Sequence, residues 1–197
     1  MYSFWGNVSV FSIVAIALDL IWGYTGMLSL GHGIYFCLGG YCMAMYLRLR
    51  DNGGALTDFM QTGGLKELPL FWRPFLSLPL TLILMLFIPG LLAAVIGFFV
   101  FRSRIKGVYF SIITQALTWA AYSLFIANSK YTGGNNGITD FTSLLGKTRG
   151  AANKGNLMAL FWIALVVLII VYAAASWMVE RKFGKLLIAI RDGENRT

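Results

Sequence analysis

The hydrophobic pattern divides the chain into five long apolar runs separated by polar or charged stretches. Tyr2–Ile21 carries Asp19 as its only charge and has the length that a membrane-spanning helix needs. W-G-Y-T-G (Trp22–Gly26) punctuates it, and Met27–Leu47 is long enough to span again. The glycines of that second run predict a broken or re-entrant course. Phe75–Phe101 has no charge and exceeds the thickness of a bilayer's hydrocarbon, so tilt or kinking is expected. Pro89-Gly90 in its middle predicts a kink, because proline removes a backbone donor and clashes with the preceding turn. Gly107–Ala127 and Leu157–Val179 complete the set. The pattern predicts an all-α fold, a polytopic transmembrane helix bundle of about five spans over 1–179. A short segment, 180–197, follows outside the bilayer.

Polar positions inside these runs are the candidates for function. The stretch Asp19–Gly40 holds the only histidine of the chain, the only acid within a long apolar run, and six glycines. An isolated charge in a spanning helix costs roughly 2.5–3.5 kcal/mol on insertion scales, so it usually faces protein or a water-filled path. Glycine allows backbones to approach closely. Asp19, Ser29 and His32 are therefore expected along a buried, polar-lined seam. Gly33 with Cys37, and Gly40 with Ala44, have the spacing of closely packed membrane helices. In the fourth run Ser111, Gln115, Thr118 and Tyr122 recur at helical spacing on one face, with Thr114 beside it. Lipid cannot satisfy such a stripe, which leaves interhelical hydrogen bonding or the lining of a pathway.

Composition agrees with a membrane protein: 58% of the 197 residues are hydrophobic and 12% charged, with a mean hydropathy of +0.71. A soluble domain carries about 25% charged residues. The net charge of +8 comes from basic residues flanking the apolar runs, which are topology signals and not a nucleic-acid surface. Arg102, Arg104 and Lys106 form the densest cluster and mark the cytoplasmic side, together with the basic tail. The N-terminus and the loops 48–74 and 128–156 then lie outside, and Trp22–Gly26 is an inner turn. Phe71 and Trp72 suit an interfacial aromatic anchor. Cys37 and Cys42 fit neither a local disulfide nor a metal site and read as small hydrophobes. T-G-G-N-N-G-I-T-D-F (Thr132–Phe141) lacks the lysine of a phosphate cradle. No pairing of nucleophile with base is evident, so the chain is expected to be no enzyme and to use no cofactor or metal. The tail from Glu180 to Thr197 is basic and amphipathic, with Leu186, Leu187 and Ile190 as its apolar face.

Four stretches carry a family resemblance. L-D-L-I-W-G-Y-T-G-M-L-S-L-G-H-G (Leu18–Gly33), G-V-Y-F-S-I-I-T-Q-A (Gly107–Ala116), T-G-G-N-N-G-I-T-D-F and F-G-K-L-L-I-A-I-R-D-G-E (Phe183–Glu194) occur in order. Together they resemble the permease subunits of ABC importers of the branched-chain amino acid and amide class. G-G-N-N-G-I-T-D-F and K-E-L-P-L-F-W (Lys66–Trp72) are similar to the urea-transporter branch. The resemblance implies a subunit in the bacterial cytoplasmic membrane that passes urea or short-chain amides, with branched-chain amino acids as the alternative substrates. It implies a second permease subunit, two cytoplasmic ATPase subunits and an external solute-binding protein as partners. Phe183–Glu194 would be the segment that docks on the ATPase, with Gly184 supplying its turn, and Phe183, Arg191, Asp192 and Glu194 belonging to the contact. The loop holding Asn135 and Asn136 would face the solute-binding protein. Members of the class begin with further residues and continue for several more spans, so the 197 residues would be part of such a permease. A truncated, non-transporting membrane fragment is the other reading.

Overall fold

The computed structural model describes residues 2–103, 107–139, 143–144, 147–148 and 154–193. The predicted all-α architecture is what forms. The long helices are α1 (Tyr2–Thr25), α2 (His32–Asp51), α4 (Leu78–Arg102), α5 (Val108–Ala127) and α7 (Lys154–Glu180). Shorter ones are α3 (Asp58–Thr62), α6 (Ser129–Thr132) and α8 (Lys182–Gly193), with 3-10 turns at Arg73–Leu76 and Gly134–Asn136. A minimal antiparallel pair joins Ser143–Leu144 to Lys147–Thr148.

Four of the five predicted spans are long and apolar enough to cross a membrane: Phe4–Thr25, Leu78–Val100, Val108–Ala127 and Leu157–Glu180. The exception among the described residues is the second run. Met27–Gly31 is non-helical, and α2 begins only at His32 and extends through Arg48, Arg50 and Asp51. The chain does break here, but ahead of the helix and not at Gly39-Gly40, which lie within it. α1 runs through the W-G-Y-T turn and stops at Gly26, whose N–H bonds the Trp22 carbonyl at 3.0 Å. α4 continues unbroken across Pro89. It starts later than the hydropathy indicates, because Pro74 sets a 3-10 turn and Ser77 is extended.

The helices belong to two compact units. One comprises Met1–His32, Ile105–Ile113 and Ala151–Thr197; the other comprises Gly33–Arg104 and Thr114–Gly150. In the first unit α1 packs on α7, and α8 folds back onto both. Ser111 at the start of α5 donates its hydroxyl to the Leu28 carbonyl at 2.6 Å, tying the extended segment after α1 to this unit.

The second unit has its core at one end of α2 and not along the spans. Cys42, Met45 and Leu49 pack there with Met60 of α3 and with Trp72 and Phe75, against Leu84, Met85 and Ile88 of α4. The predicted loop 48–74 is thus an ordered cap. Arg48, buried in this cap, pairs with Asp58. Trp72 is buried instead of forming an interfacial anchor, and its indole N–H donates to the Tyr131 carbonyl at 3.1 Å. Phe71, next to it, stays exposed. Of the small residues on α2, it is Gly39 that meets α4, with Met85 O 3.4 Å from where its Cβ would stand; Gly33 and Gly40 have no such neighbour. By contrast, at most 11% of the apolar window of any span is buried, which leaves those surfaces for lipid or neighbouring helices.

Candidate functional site

Two places gather residues that the sequence singles out. The first is an open-sided cavity of about 380 Å³ in the second unit, bounded by α2, α5 and the turn 134–137. One wall is the row Gly33, Cys37 and Tyr41, four residues apart on α2; the facing wall includes Thr118 and Tyr122 of α5. Asn135 and Asn136 close the polar end. The Tyr122 hydroxyl reaches Asn135 Oδ1 at 3.4 Å, a long hydrogen bond. Tyr41 is fixed edge-on to Phe125, with ring centroids 4.7 Å apart.

The turn is built to reach this wall. Thr132, the last residue of α6, donates its hydroxyl to the Phe125 carbonyl of α5 at 2.6 Å and accepts the Gly134 N–H at 3.2 Å. Gly133 adopts φ 80°, and a side chain there would run into the backbone of Gly137. The glycine-rich run is thus a tight turn that presents two asparagine amides. No residue lining the cavity carries a charged side chain. Its polar groups are hydroxyls, amides, a thiol and backbone, which can hydrogen-bond a neutral solute but offer no counter-ion.

The predicted pathway residues divide. Thr118 and Tyr122 line the cavity, together with Asn135 and Asn136, which had been expected only at an external docking loop. Ser111 of the same stripe is used structurally on Leu28, and Gln115 is exposed and lines no described cavity. Ser29 is buried in the non-helical segment, and His32 is the partly buried first residue of α2. Asp19 departs furthest from expectation: it is exposed on α1, because the helix packs on α7 through other faces. No basic side chain pairs with it among the described residues. Cys37 and Tyr41 were missed as lining. The Gly33–Cys37 spacing was the available signal, and one further step of four residues gives Tyr41.

The second place is the root of α8. Gly184 is buried, and a Cβ on it would stand 2.7 Å from the Val179 carbonyl carbon and closer still to its oxygen. Its value is therefore close approach, not the turn conformation expected, since its φ is not in the left-handed region. Leu187 faces the same junction and Leu186 points away, 56% exposed, so the predicted apolar face is split. Phe183, Ile190, Arg191 and Asp192 lie on the α8 backbone with their side chains outside the description. Glu194 lies outside the described residues, as do Arg104 and Lys106 of the basic loop.

A family model described as the permease component of the branched-chain amino acid transport system matches residues 1–197. Two curated relatives carry the name "High-affinity branched-chain amino acid transport system permease protein LivM". The one from Escherichia coli (strain K12) is 28% identical over 132 residues, which are 66% of this chain and 24% of that protein. The one from Salmonella typhimurium (strain LT2) is 27% identical over the same shares. The matched part thus spans about a quarter of the length of either relative. No solved structure matches.

Proposed function

This chain belongs to the branched-chain amino acid transport permease family, and from that membership we propose that it supplies part of the translocation path of an ATP-driven importer for urea or short-chain amides. It is a multi-pass membrane protein, and we place it in the bacterial cytoplasmic membrane. Its partners in this reading are a second permease subunit, two ATPase subunits that bind on the side of α8, and an external solute-binding protein. Hydrolysis takes place in the ATPases; this chain moves between inward- and outward-open states.

The observation that carries the substrate class is the uncharged lining of the α2–α5 cavity. A free amino acid is a zwitterion, and neither of its charges would meet an opposite charge on this lining. Urea and short amides bring only neutral donors and acceptors, which the Tyr122 and Thr118 hydroxyls and the Asn135 and Asn136 amides complement. The competing substrate class, branched-chain amino acids, is favoured by the names of the two relatives. Uptake into cells that carry the full-length permease and its partners separates the two. Labelled urea or acetamide is expected to accumulate, leucine is not, and Asn136→Leu is expected to raise the KM for urea about tenfold, the loss of one hydrogen bond to the solute. Leucine uptake with no urea uptake would overturn the amide assignment while leaving the family unaffected.

A further inference from the structure

In the first unit the ends of α1 and α7 and the start of α8 enclose a groove of about 230 Å³. Its wall is almost wholly apolar, formed by side chains such as Leu20, Ile21, Met178, Val179 and Leu187, with Gly184 at its floor. A protein helix is about 10 Å across with its side chains and is too wide for this space. A single hydrocarbon chain is not.

The surroundings define the rest of the occupant. Trp22 and Trp177, at the ends of α1 and α7, are 59% and 62% exposed, as aromatic side chains are at the boundary between lipid and water. Arg181 stacks its guanidinium over Trp177 at 4.9 Å, and Lys182 follows it; both are exposed and lie in the chain between Val179 and Gly184 of the groove. Neither makes an ion pair with a described carboxylate, although Glu180 is adjacent in sequence and also exposed. An apolar slot at interfacial depth with two cations at its rim matches one chemistry, an anionic amphiphile with a hydrocarbon tail.

We propose that this groove holds one acyl chain of an anionic phospholipid whose phosphate is bound by Arg181 and Lys182. The bound chain fills the space between α8 and the two spans, so the lipid is part of what holds α8 against α1 and α7. The proposal does not depend on the substrate of the cavity.

Native mass spectrometry of the full-length permease complex, released from micelles with phosphatidylglycerol and phosphatidylcholine at equal mole fraction, tests it. Each basic residue near an anionic surface contributes about fivefold, so roughly 25-fold preference for phosphatidylglycerol is expected. Arg181→Gln with Lys182→Gln, both on the surface, is expected to bring the preference to near parity. Ile21→Trp, which fills the slot, is expected to remove the retained lipid with the cations still in place. Equal retention of the two lipids by the unaltered complex would overturn the proposal, as would an undiminished preference in the double variant. Full phosphatidylglycerol retention by Ile21→Trp would mean that the basic residues hold headgroups without a groove, and would overturn it equally. Should Ile21→Trp not fold, glycerol phosphate in excess replaces it as the test. Lacking a chain, it is expected to leave the bound lipid in place, and displacement at comparable concentration would overturn the role of the slot.

Discussion

At Gly184 a hydrogen atom occupies a place where no larger group fits. The Val179 carbonyl sits where a Cβ would be, so any substitution must lift α8 from α7. Gly184→Val in a full-length permease is expected to insert into the membrane normally, since the spans are untouched. Co-purification with the ATPase is expected to fall at least tenfold, because α8 no longer holds its position. Normal recovery of the ATPase with this variant would remove α8 from the coupling role. Asp19 shows the opposite case, a residue whose setting is incomplete within this chain. Its carboxylate is exposed on an otherwise apolar helix, where lipid would impose the cost of an unpaired charge. We propose that within an assembled bundle a neighbouring helix or a water-filled path meets that face of α1. Its polarity was evident in the sequence; its direction was not, because one acid in a run apolar on all sides gives no indication of which side faces a partner.

At the scale of elements, the longest apolar runs were legible because hydropathy and length decide them, and α4, α5 and α7 lie within a few residues of their expected bounds. The second run was not, since its apolar residues serve two purposes. Toward its C-terminal end Met45 and Leu49 fill a core with α3 and the 3-10 turn, while Gly33, Cys37 and Tyr41 line a cavity. Hydropathy adds these together and sees a span. Trp72 was misread for a related reason: an aromatic beside proline and arginine resembles an interfacial anchor, and only tertiary contact with Tyr131 reveals it as buried. The Thr118–Tyr122 stripe was found by periodicity, but its convergence with Asn135 and Asn136 depends on the tight turn at Gly133. The cap itself can be tested. Met45 is fully buried, and Met45→Ala removes most of a side chain from a packed site, at a cost of about 2–5 kcal/mol. Thermal unfolding of the purified permease is expected to register this as a clear fall in Tm; an unchanged Tm would mean that the cap contributes little to stability.

For the whole molecule we propose, from basic density, an orientation in the bilayer with the tail inside and the 128–156 segment outside. In a full-length permease stripped of Cys37 and Cys42, single cysteines at 104 and 185 are expected to react with a membrane-impermeant reagent only from the cytoplasm. One at 147 is expected to react only from outside. Reaction of position 104 from outside would invert the arrangement. The cap of the second unit bears on how such a chain is made. Its buried cluster, from Cys42 to Phe75, and the α4 residues it packs on, up to Ile88, lie close together in sequence, while Ile138, the Tyr131 carbonyl and α6, which packs on α3, come from later in the chain. Contacts this close in sequence form with little loop to close. As the chain emerges during synthesis, the buried cluster of the cap can therefore form once α4 is made, before α5 or α7 exists, with α6 added to it later. The spans that follow are then added to a nucleus already in place.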